Sequence, residues 1–584
     1  MKKFTRILCL MLSLVCLLCG CQTGAPTTGT TTTPTTTTPA PGIDFFRALP
    51  VLPEKFVTAT PGDGDLVLAL DGVANATIVI PKGHDKARAA AADLSNYLTK
   101  ITGATFAIVT DDQTLPEGNL ILVGPTKKTL DLGVGPFTGY PDAEKMTVTR
   151  KDNCLILYGN DDVSYTGTFT AVTFFLEEAG CGWFDDSELW QIVPNCPTLA
   201  VKEVSKTYEP AIDSRYMTDI SALMAARWYC GGDDFSAGHG LFHFATKEDY
   251  PEHPEWFAEV SGSRDPNPVR WWQFCYTNQS FADQVAAGVI EYFDKHPNHE
   301  SFSIASNDGW YEGWCECEVC AAAGNQSDQM LVFANRVAEK VAQRHPDKRV
   351  SILGYHATFL PPTKTKAHPN VEVMFCLETN PLDDLIADRQ IHSGYNSINK
   401  LVYTQSWLDN VTQWIQDSDL KYTAIWSWFC IDSYWGDIPW VQGVVANRNV
   451  DVFESLGVNT VFIDCTKNVN DLRWPLYYTF AKCMYFGDMN GEEILYDACK
   501  KLYGAAADEM FLFYRLLADC AQQSASPSGV NWVAPSLMDV YGNQVTLGRN
   551  AVQAVRAKLD LLTPEQKERV ENQLRGWVLI DIKI

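Results

Sequence analysis

The first folded part of the chain combines short apolar runs with one stretch of helical period. Thr77–Ile80 has the length and composition of a strand, and the apolar positions between Ala87 and Ile101 form one stripe of a helix. Gly103 lies where such a helix would end in a left-handed residue. Further along, the sequence predicts a buried strand over 119–124, a pair of strands over 146–149 and 155–158, and a second helix over 171–178. The pattern predicts an N-terminal α/β sandwich domain over residues 45–205.

From residue 206 to residue 485, apolar runs of strand length alternate with helical stretches, which predicts a (β/α)8 barrel of the TIM type. An eighth strand near Trp256–Val260 or Leu401–Thr404 would complete the ring, and residues 486–584 predict a C-terminal helical region. The expected fold class is therefore α/β. The other strands are predicted near Ser214–Met217, Gln273–Tyr276, Ser301–Ala305, Val350–Gly354, Val371–Cys376, Thr423–Trp428 and Thr460–Asp464.

The N-terminus has the pattern of an export signal. A basic start is followed by the apolar run Ile7–Leu18, which is shorter than a membrane-spanning helix. The run ends in Leu18-Cys19-Gly20-Cys21, which resembles a bacterial lipobox and implies a signal peptide over residues 1–21 with lipid attached to Cys21. A Thr/Pro-rich tract over residues 22–44 predicts an extended linker. We expect a lipoprotein anchored at the extracellular face of the cell membrane, with a plain cleaved signal peptide as the alternative.

The composition narrows the range of partners. The chain has 46 Lys and Arg against 71 Asp and Glu, a net charge of −25, which disfavours binding to the phosphates of a nucleic acid. Its 17 Trp and 23 Tyr supply flat rings of the kind that pack against the apolar faces of sugars, although a large core uses such rings as well. We expect a carbohydrate partner, no nucleic acid, no cofactor, and membrane contact only through Cys21.

Two groups of segments resemble known families. The segments AADLSNYLTKITGATFAIV, NLILVG, CLILYGND and TAVTFFLEEAGCGWF resemble the non-catalytic N-terminal domain of alpha-glucuronidases and beta-N-acetylhexosaminidases. The segments HPEWFAEVSGSR, SFSIASNDGW, CECEVC and RVSILGYHATFLPP resemble an uncharacterised family of bacterial barrel proteins, a domain of unknown function. Together these resemblances imply a carbohydrate-active barrel.

Active sites of barrel enzymes lie at the C-terminal ends of the strands, which makes acids at those ends catalytic candidates. Asp308 follows a predicted strand and could protonate a leaving glycosidic oxygen, with Trp310 raising its pKa by shielding it. Hexosaminidase-like enzymes have an acidic pair here, whereas this chain has Asn307-Asp308, which fits substrate-assisted hydrolysis or another chemistry. Glu378 and Asp464 are candidates for the second carboxylate. A turn or solvated loop is the alternative for all three acids.

Substrate contacts are predicted from the same rim. His239 lies in a Gly-His-Gly loop and could bind sugar hydroxyls, while Arg215 could bind a carboxylated sugar or pair with a barrel acid. Trp426 and Trp428 share one face of a strand and either stack on sugar or pack under helices. The further candidates are Asn307, Tyr355, His356 and Tyr434.

Cys315, Cys317 and Cys320 form a dense C-x-C-x-x-C group just after Asp308. Structural zinc uses four ligands, so a metal site here would need a distant His or Cys as the fourth. A disulfide that stiffens the loop and a set of free thiols are the other two interpretations.

These observations favour a glycoside hydrolase-like surface lipoprotein. It would cleave O-glycosidic bonds of an extracellular polysaccharide or glycoconjugate by acid and base catalysis with carboxylates. A non-catalytic glycan-binding lipoprotein is the main alternative, and a polysaccharide lyase on the same barrel is a third. No convincing P-loop, zinc-protease helix or serine-hydrolase elbow is present in the sequence.

Overall fold

The computed structural model describes residues 46–141, 144–309, 312–377, 407–430, 446–465, 472, 474–487, 489–523 and 542–583. The predicted signal peptide, Cys21 and the linker lie outside these residues. Within the part of the chain that the structure describes, no helix has both the length and the apolar character needed to cross a membrane.

The N-terminal part is built on two main sheets, a further sheet of two short strands (β9 and β10) and two main helices. The larger sheet has six strands in the order β12-β7-β8-β6-β4-β5, and the smaller has four in the order β1-β11-β2-β3. The helices are α1 (Asp85–Thr102), α2 (Lys127–Asp131) and α3 (Gly167–Glu178). The strands are β1 (Val57–Thr58), β2 (Leu66–Leu70), β3 (Val73–Ala74), β4 (Ala76–Ile80), β5 (Ile108–Thr110), β6 (Asn119–Val123), β7 (Met146–Lys151), β8 (Cys154–Gly159), β9 (Gly182–Trp183), β10 (Gln191–Ile192), β11 (Leu199–Val201) and β12 (Ser205–Tyr208).

Helix α1 covers the predicted stripe, begins two residues before it and ends at the predicted glycine. The ring of His84 accepts a hydrogen bond from the amide of Ala87 at 3.2 Å and caps the first turn. Gly103 ends the helix with φ 76°, a left-handed conformation that costs glycine little. The apolar stripe from Ala87 to Ile101 is buried against the core, so the predicted helix is confirmed.

The central part is a single sheet of seven parallel strands in the order β13-β19-β18-β17-β16-β15-β14. The helices associated with it are α4 (Ala222–Arg227), α5 (Gln279–Lys295), α6 (Glu318–Ala323), α7 (Gln326–Arg344), α8 (Trp407–Ser418), α9 (Ala446–Ser455) and α10 (Trp474–Phe486). The strands are β13 (Ser214–Met217), β14 (Asp234–Phe235), β15 (His299–Ser303), β16 (Arg349–Gly354), β17 (Val371–Leu377), β18 (Tyr422–Cys430) and β19 (Val458–Cys465).

The first and last strands of this sheet almost close it into a barrel. Arg215 on β13 forms an antiparallel backbone bridge with Gly231, which lies just before β14. The hydroxyl of Ser214 donates a hydrogen bond to the carbonyl of Asp233 at 2.8 Å. The predicted mixed α/β class with a TIM-like barrel is confirmed. The described residues contain seven barrel strands, where the prediction has eight.

Two details of the predicted strand set are wrong. Gln273–Tyr276 is not a strand of the barrel, because Phe274 instead makes an isolated bridge to Phe257 and the segment packs outside the ring. Its apolar residues, Phe274 to Tyr276, form a run like that of a buried strand. Asp234–Phe235, too short to stand out as an apolar run, is the strand that neighbours β15. Trp256–Val260 forms only isolated bridges, and Leu401–Thr404 lies outside the described residues.

The inside of the barrel has its own apolar cluster, separate from the main core. Side chains alternate along a strand, so residues two positions apart share one face of the sheet. Trp426 and Phe462 pack against the inner cluster. Asp464 lies two residues after Phe462 on the same strand, so its side chain also faces the barrel interior. The cluster consists of Ala305, Leu353, Met374, Cys376 and Ala424.

The C-terminal region is helical, as predicted. Arg569 connects this region to the N-terminal part, since it donates a hydrogen bond to the carbonyl of Leu189 at 2.5 Å and another to that of Leu502, within the C-terminal region, at 2.9 Å. The last helix begins at Pro564, preceded by Thr563. The four helices described here are α11 (Gly491–Tyr503), α12 (Ala507–Gln523), α13 (Val545–Arg556) and α14 (Pro564–Lys583).

Candidate functional site

The C-terminal ends of the parallel strands bring several predicted residues to one rim of the barrel. Every strand of this sheet pairs in parallel with its sheet neighbours, so their carboxyl ends meet at the same edge. Loops that leave this edge carry the polar groups that the barrel fold presents to a ligand. The described residues at this rim are Thr218, His239, Asp308, Tyr355 and Asp464.

His239 and Asp308 face each other across two neighbouring strand ends. The Nε2 atom of His239 lies 3.8 Å from Oδ1 of Asp308. The Nδ1 atom of His239 is 2.6 Å from the carbonyl oxygen of Ser306. Because a carbonyl only accepts hydrogen bonds, Nδ1 carries the proton and Nε2 is the nitrogen that faces the carboxylate. The imidazole is therefore held in one tautomer, with its reactive nitrogen turned towards Asp308.

Two glycines explain how the His239 loop reaches the end of β15. Gly238 has φ 113°, a conformation that L side chains rarely adopt. A Cβ at Gly240 would lie 1.7 Å from the carbonyl oxygen of Ser303, so only glycine permits this approach. The Gly-His-Gly sequence was thus the local signal for the position of His239, although it did not reveal the partner.

The Asn307-Asp308 pair is split between the interior and the surface. Asn307 is 2% exposed, and its side-chain amide donates a hydrogen bond to the carbonyl of Trp272 at 3.3 Å. Its backbone carbonyl accepts one from Gln273 at 2.8 Å, while its Oδ1 atom has no hydrogen-bond partner among the described residues. The side chain of Asp308 is 55% exposed. Trp310, the predicted shield of Asp308, lies outside the described residues.

Asp464 belongs to the same rim but to a different part of the ring. The hydroxyl of Thr218, which follows β13, donates a hydrogen bond to Oδ1 of Asp464 at 3.1 Å. Strand β19 is separated from β15 by β13 and β14 on one side of the ring and by β16, β17 and β18 on the other. Asp308 and Asp464 therefore extend from opposite sides of the barrel. Glu378, the other predicted carboxylate, lies outside the described residues.

Aromatic rings cover the barrel interior beneath this rim. The rings of Tyr216 and Phe462 stack with centroids 5.7 Å apart, and Trp426 meets Phe462 edge-on at 4.9 Å. Of the two orientations left open for Trp426, the structure has the inward one. Tyr216 is 54% exposed although it belongs to a barrel strand, so its ring borders solvent inside the mouth. The side chain of Trp428 and all of Tyr434 lie outside the described residues.

Tyr355 and His356 follow β16 at the rim. The Tyr355 ring lies 6.3 Å from that of His239 and 3.8 Å from that of His356, measured between centroids. His356 is buried and has φ 45°, a strained conformation for a residue other than glycine. Such strain is most often kept at functional sites, where the surrounding structure enforces it.

Arg215 does not join these residues. It is next to Tyr216 on β13, so its side chain lies on the opposite face of the sheet, outside the barrel. There it is fully buried and forms an ion pair with Glu144. Its guanidinium also donates hydrogen bonds to the carbonyls of Ile212 and Tyr229 at 2.7 and 2.8 Å. Glu144 precedes the predicted barrel, so this ion pair links the N-terminal part to the barrel and offers no donor to the rim.

The three predicted cysteines converge with a fourth that the sequence interpretation did not connect to them. Cys315, Cys317 and Cys320 meet Cys275 in one cluster, and all four are free thiols. Cys275 was hidden in the segment that was expected to be a barrel strand. This cluster is distinct from the rim, because its side chains form a separate small apolar group with Ala258.

Comparison with known proteins supports the fold. A family model described as "Domain of unknown function (DUF4838)" matches residues 188–514, while no curated protein matches the chain in sequence. The chain is similar in structure to BtGH115A, a family GH115 4-O-methyl-alpha-glucuronidase with specificity for decorated arabinogalactans, with a TM-score of 0.52 and 11% identity, over 88% of this chain and 71% of that one.

Two further solved structures are more distant. CpGH89 from Clostridium perfringens has a TM-score of 0.45 and 9% identity, covering 84% of this chain and 60% of that chain. The N-acetyl-beta-hexosaminidase of Streptomyces plicatus has a TM-score of 0.38 and 11% identity, covering 80% and 95%. At such identities the likeness to BtGH115A shows a shared fold and nothing about the substrate.

Proposed function

The chain belongs to the DUF4838 family, and we propose that it is a glycoside hydrolase that cleaves O-glycosidic bonds of an extracellular polysaccharide or glycoconjugate. The observation that carries this proposal is the contact of His239 with Asp308 at the rim of a barrel whose interior is lined with aromatic rings. The barrel is of a kind shared with a solved glycosidase, which is consistent with the proposal.

Asp308 and His239 form the acid side of the proposed mechanism. Glycosidic cleavage needs a proton on the leaving oxygen as the bond to the anomeric carbon breaks. Asp308 is exposed enough to reach a bound sugar and, in its protonated form, can donate its proton to the leaving oxygen, which leaves a carboxylate. The Nε2 atom of His239, 3.8 Å away, lies just outside hydrogen-bond distance and would orient this carboxyl group when the site tightens around a substrate. The hydrogen bond from Nδ1 to the carbonyl of Ser306 keeps Nε2 turned towards the carboxyl group.

Asp464 is the proposed second carboxylate. It faces the barrel interior from the side opposite Asp308, and the hydroxyl of Thr218 holds one of its oxygens. A carboxylate held in this way could deprotonate a water molecule that attacks the anomeric carbon, or stabilise the positive charge that develops there. The aromatic rings of Tyr216 and Trp426 would support the sugar between the two acids.

The test is a screen of the purified chain against aryl hexosaminides, glucuronides and hexosides. On any substrate that is cleaved, Asp308→Asn should lower kcat/KM at least about a hundredfold, because the amide cannot donate the proton. Asp347→Asn is the matched control, since Asp347 is exposed and lies in the turn before β16, at the other end of the barrel. Turnover of Asp308→Asn near that of the wild type would refute the assignment.

A glycan-binding protein without hydrolytic activity is the second candidate. It is favoured by the replacement of one acid of the pair by the buried amide of Asn307, which leaves a single acid at this strand end. In that case calorimetry would detect oligosaccharide binding by the wild type, and no aryl glycoside would be cleaved. Binding would then persist in Asp308→Asn and weaken when the aromatic rings are removed.

The location proposed for this activity is the extracellular face of the membrane, through lipid on Cys21. In the bacterial host, labelling with a radioactive fatty acid should mark the wild type and not Cys21→Ala. Cys19→Ala is the matched control, because it changes the neighbouring cysteine of the same signal and leaves the acylated thiol. Label that persists in Cys21→Ala would contradict the anchor and leave the proposed hydrolysis unaffected.

A further inference from the structure

Four cysteine side chains meet outside the candidate active site. The sulfur atoms of Cys275, Cys315, Cys317 and Cys320 all lie within 4.8 Å of one another. Two of the separations are 3.9 Å, from Cys275 to Cys317, and 3.8 Å, from Cys275 to Cys320. Neither the predicted hydrolysis nor the aromatic barrel interior uses these residues.

The spacing of the sulfur atoms fits a tetrahedral metal ion. Zinc binds thiolate at about 2.3 Å, which places the sulfur atoms of a tetrahedral site about 3.8 Å apart. Sulfur atoms joined in a disulfide are about 2.05 Å apart, and one disulfide would use only two of the four. The separations from Cys275 to Cys317 and Cys320 agree with the tetrahedral value.

The surroundings of the cluster also suit a site of bound thiolates. The backbone amide of Glu259 donates a hydrogen bond to the sulfur of Cys315 at 3.2 Å, and the hydroxyl of Thr277 lies 3.1 Å from the sulfur of Cys320. The side chain of Arg264 interacts with Cys275 and Cys317. Such donors orient the ligands and offset the negative charge that four thiolates retain around one divalent ion.

We propose that Cys275, Cys315, Cys317 and Cys320 bind one structural Zn²⁺ ion. Four protein ligands fill the tetrahedral coordination shell and leave no position for water or substrate, which is the arrangement of structural zinc sites. Thiolate ligands select zinc over the hard cations that prefer oxygen. The site is therefore a clamp within the fold and takes no part in bond cleavage.

The clamp joins two segments that are far apart in the sequence. Cys275 belongs to the segment whose Gln273 donates a hydrogen bond to the carbonyl of Asn307 at 2.8 Å. Cys315 and Cys317 lie in the loop that follows Asp308, and Cys320 lies in α6. A metal ion at this point would fix the segment behind Asn307 to the chain that leaves the rim. The inference does not depend on the proposed hydrolysis.

The test is the metal content of the full chain, purified without chelators and measured by inductively coupled plasma mass spectrometry. We expect one zinc per chain, and after exchange with Co²⁺ the absorption bands of tetrahedral cobalt thiolate. Cys320→Ser should lose most of the zinc. Cys196→Ser is the matched control, because Cys196 is not part of the cluster and serine keeps a donor for the carbonyl of Thr198.

The wild type alone also decides the question if Cys320→Ser does not fold. Zinc-free wild type, or a disulfide between any two of the four cysteines in peptides mapped without reduction, would overturn the proposal. Unchanged zinc content in soluble Cys320→Ser would do the same. None of these measurements uses enzymatic activity, so a failure of the hydrolase proposal is separately visible.

Discussion

The Nε2 atom of His239 lies 3.8 Å from Oδ1 of Asp308, and the carbonyl of Ser306 fixes the other ring nitrogen. The two residues follow different strands, β14 and β15, which are neighbours in the sheet. A side chain on one loop thereby lies beside the carboxylate on the next. This arrangement is typical of a pair in which one group positions the other or exchanges a proton with it.

Replacement of His239 should therefore impair any glycosidase activity. We expect His239→Gln to lower kcat/KM about tenfold to hundredfold, because glutamine keeps a hydrogen bond to the loop and cannot exchange a proton. Steady-state kinetics on the same aryl glycoside as for Asp308→Asn measures the effect. His243→Gln is the control, since His243 is exposed in the same loop region. Full activity of His239→Gln beside an inactive Asp308→Asn would remove His239 from the mechanism.

The exposed ring of Tyr216 at the barrel mouth should contribute to sugar binding. Tyr216 stacks on Phe462 and is 54% exposed, so one side of the ring remains open to a ligand. We expect Tyr216→Ala to weaken oligosaccharide binding about threefold to tenfold, the loss of one aromatic contact. Tyr216→Phe keeps the ring and should bind nearly as well as the wild type. Calorimetry would contradict the prediction if both variants bound equally.

The strand pattern of the barrel could largely be predicted from the sequence. Residues 371–376 of β17 are buried on both faces of the sheet, and all of them except Glu372 are apolar. Asp234–Phe235 has only two residues in the ladder and carries no such signal. Gln273–Tyr276 is buried like a barrel strand but pairs with a segment outside the barrel. An apolar run predicts that a segment is buried and does not predict which segment it pairs with.

The contacts of the candidate site depended on information that the sequence does not contain. The meeting of His239 with Asp308 follows from the neighbouring positions of β14 and β15, and β14 was not predicted. Arg215 was expected at the rim, but the register of β13 turns Tyr216 inward and Arg215 outward to Glu144. A shift of one residue in a strand exchanges its two faces, so such assignments need the structure.

A buried ion pair should stabilise the contact between the N-terminal part and the barrel helices. The amino group of Lys482 on α10 lies 2.7 Å from a carboxylate oxygen of Glu177 on α3, and both side chains are buried. We expect Lys482→Met to lower the free energy of unfolding by about 3–5 kcal/mol, because it removes the cation that contacts the buried carboxylate directly. Urea unfolding measures the loss. A change below about 1 kcal/mol would show that the pair contributes little.

Acid should weaken the same contact in a defined direction. Burial raises the pKa of Glu177, but the positive charges of Lys482 and Lys501, with hydrogen bonds from Lys482 and Tyr229, together more than offset it, so the pKa lies below the ordinary value. Its contribution to stability is therefore complete above about pH 4.3, the unfolded value, and is lost as the pH falls through the lower folded-state value. Glu177→Gln should lose less stability on acidification than the wild type. Parallel losses would contradict this assignment.

The carboxylate of Asp328 ties the start of α7 to the segment that leads to β17. Its two oxygens accept hydrogen bonds from the backbone amides of Thr363, Lys364 and Thr365 at 2.8–2.9 Å. Burial raises the pKa of Asp328, but these hydrogen bonds and one from the Thr363 hydroxyl together lower it by more. The pKa therefore lies below its ordinary value, and the folded protein favours the ionised carboxylate. Asp328→Asn places an amide donor against backbone donors and should cost about 1–3 kcal/mol of unfolding free energy.

The loss should be largest above about pH 3.9, where the wild type gains fully from the ionised group, and should shrink as the pH falls through the folded-state pKa. Urea unfolding at neutral and acidic pH measures it, and equal losses at both would show that charge is not the cause.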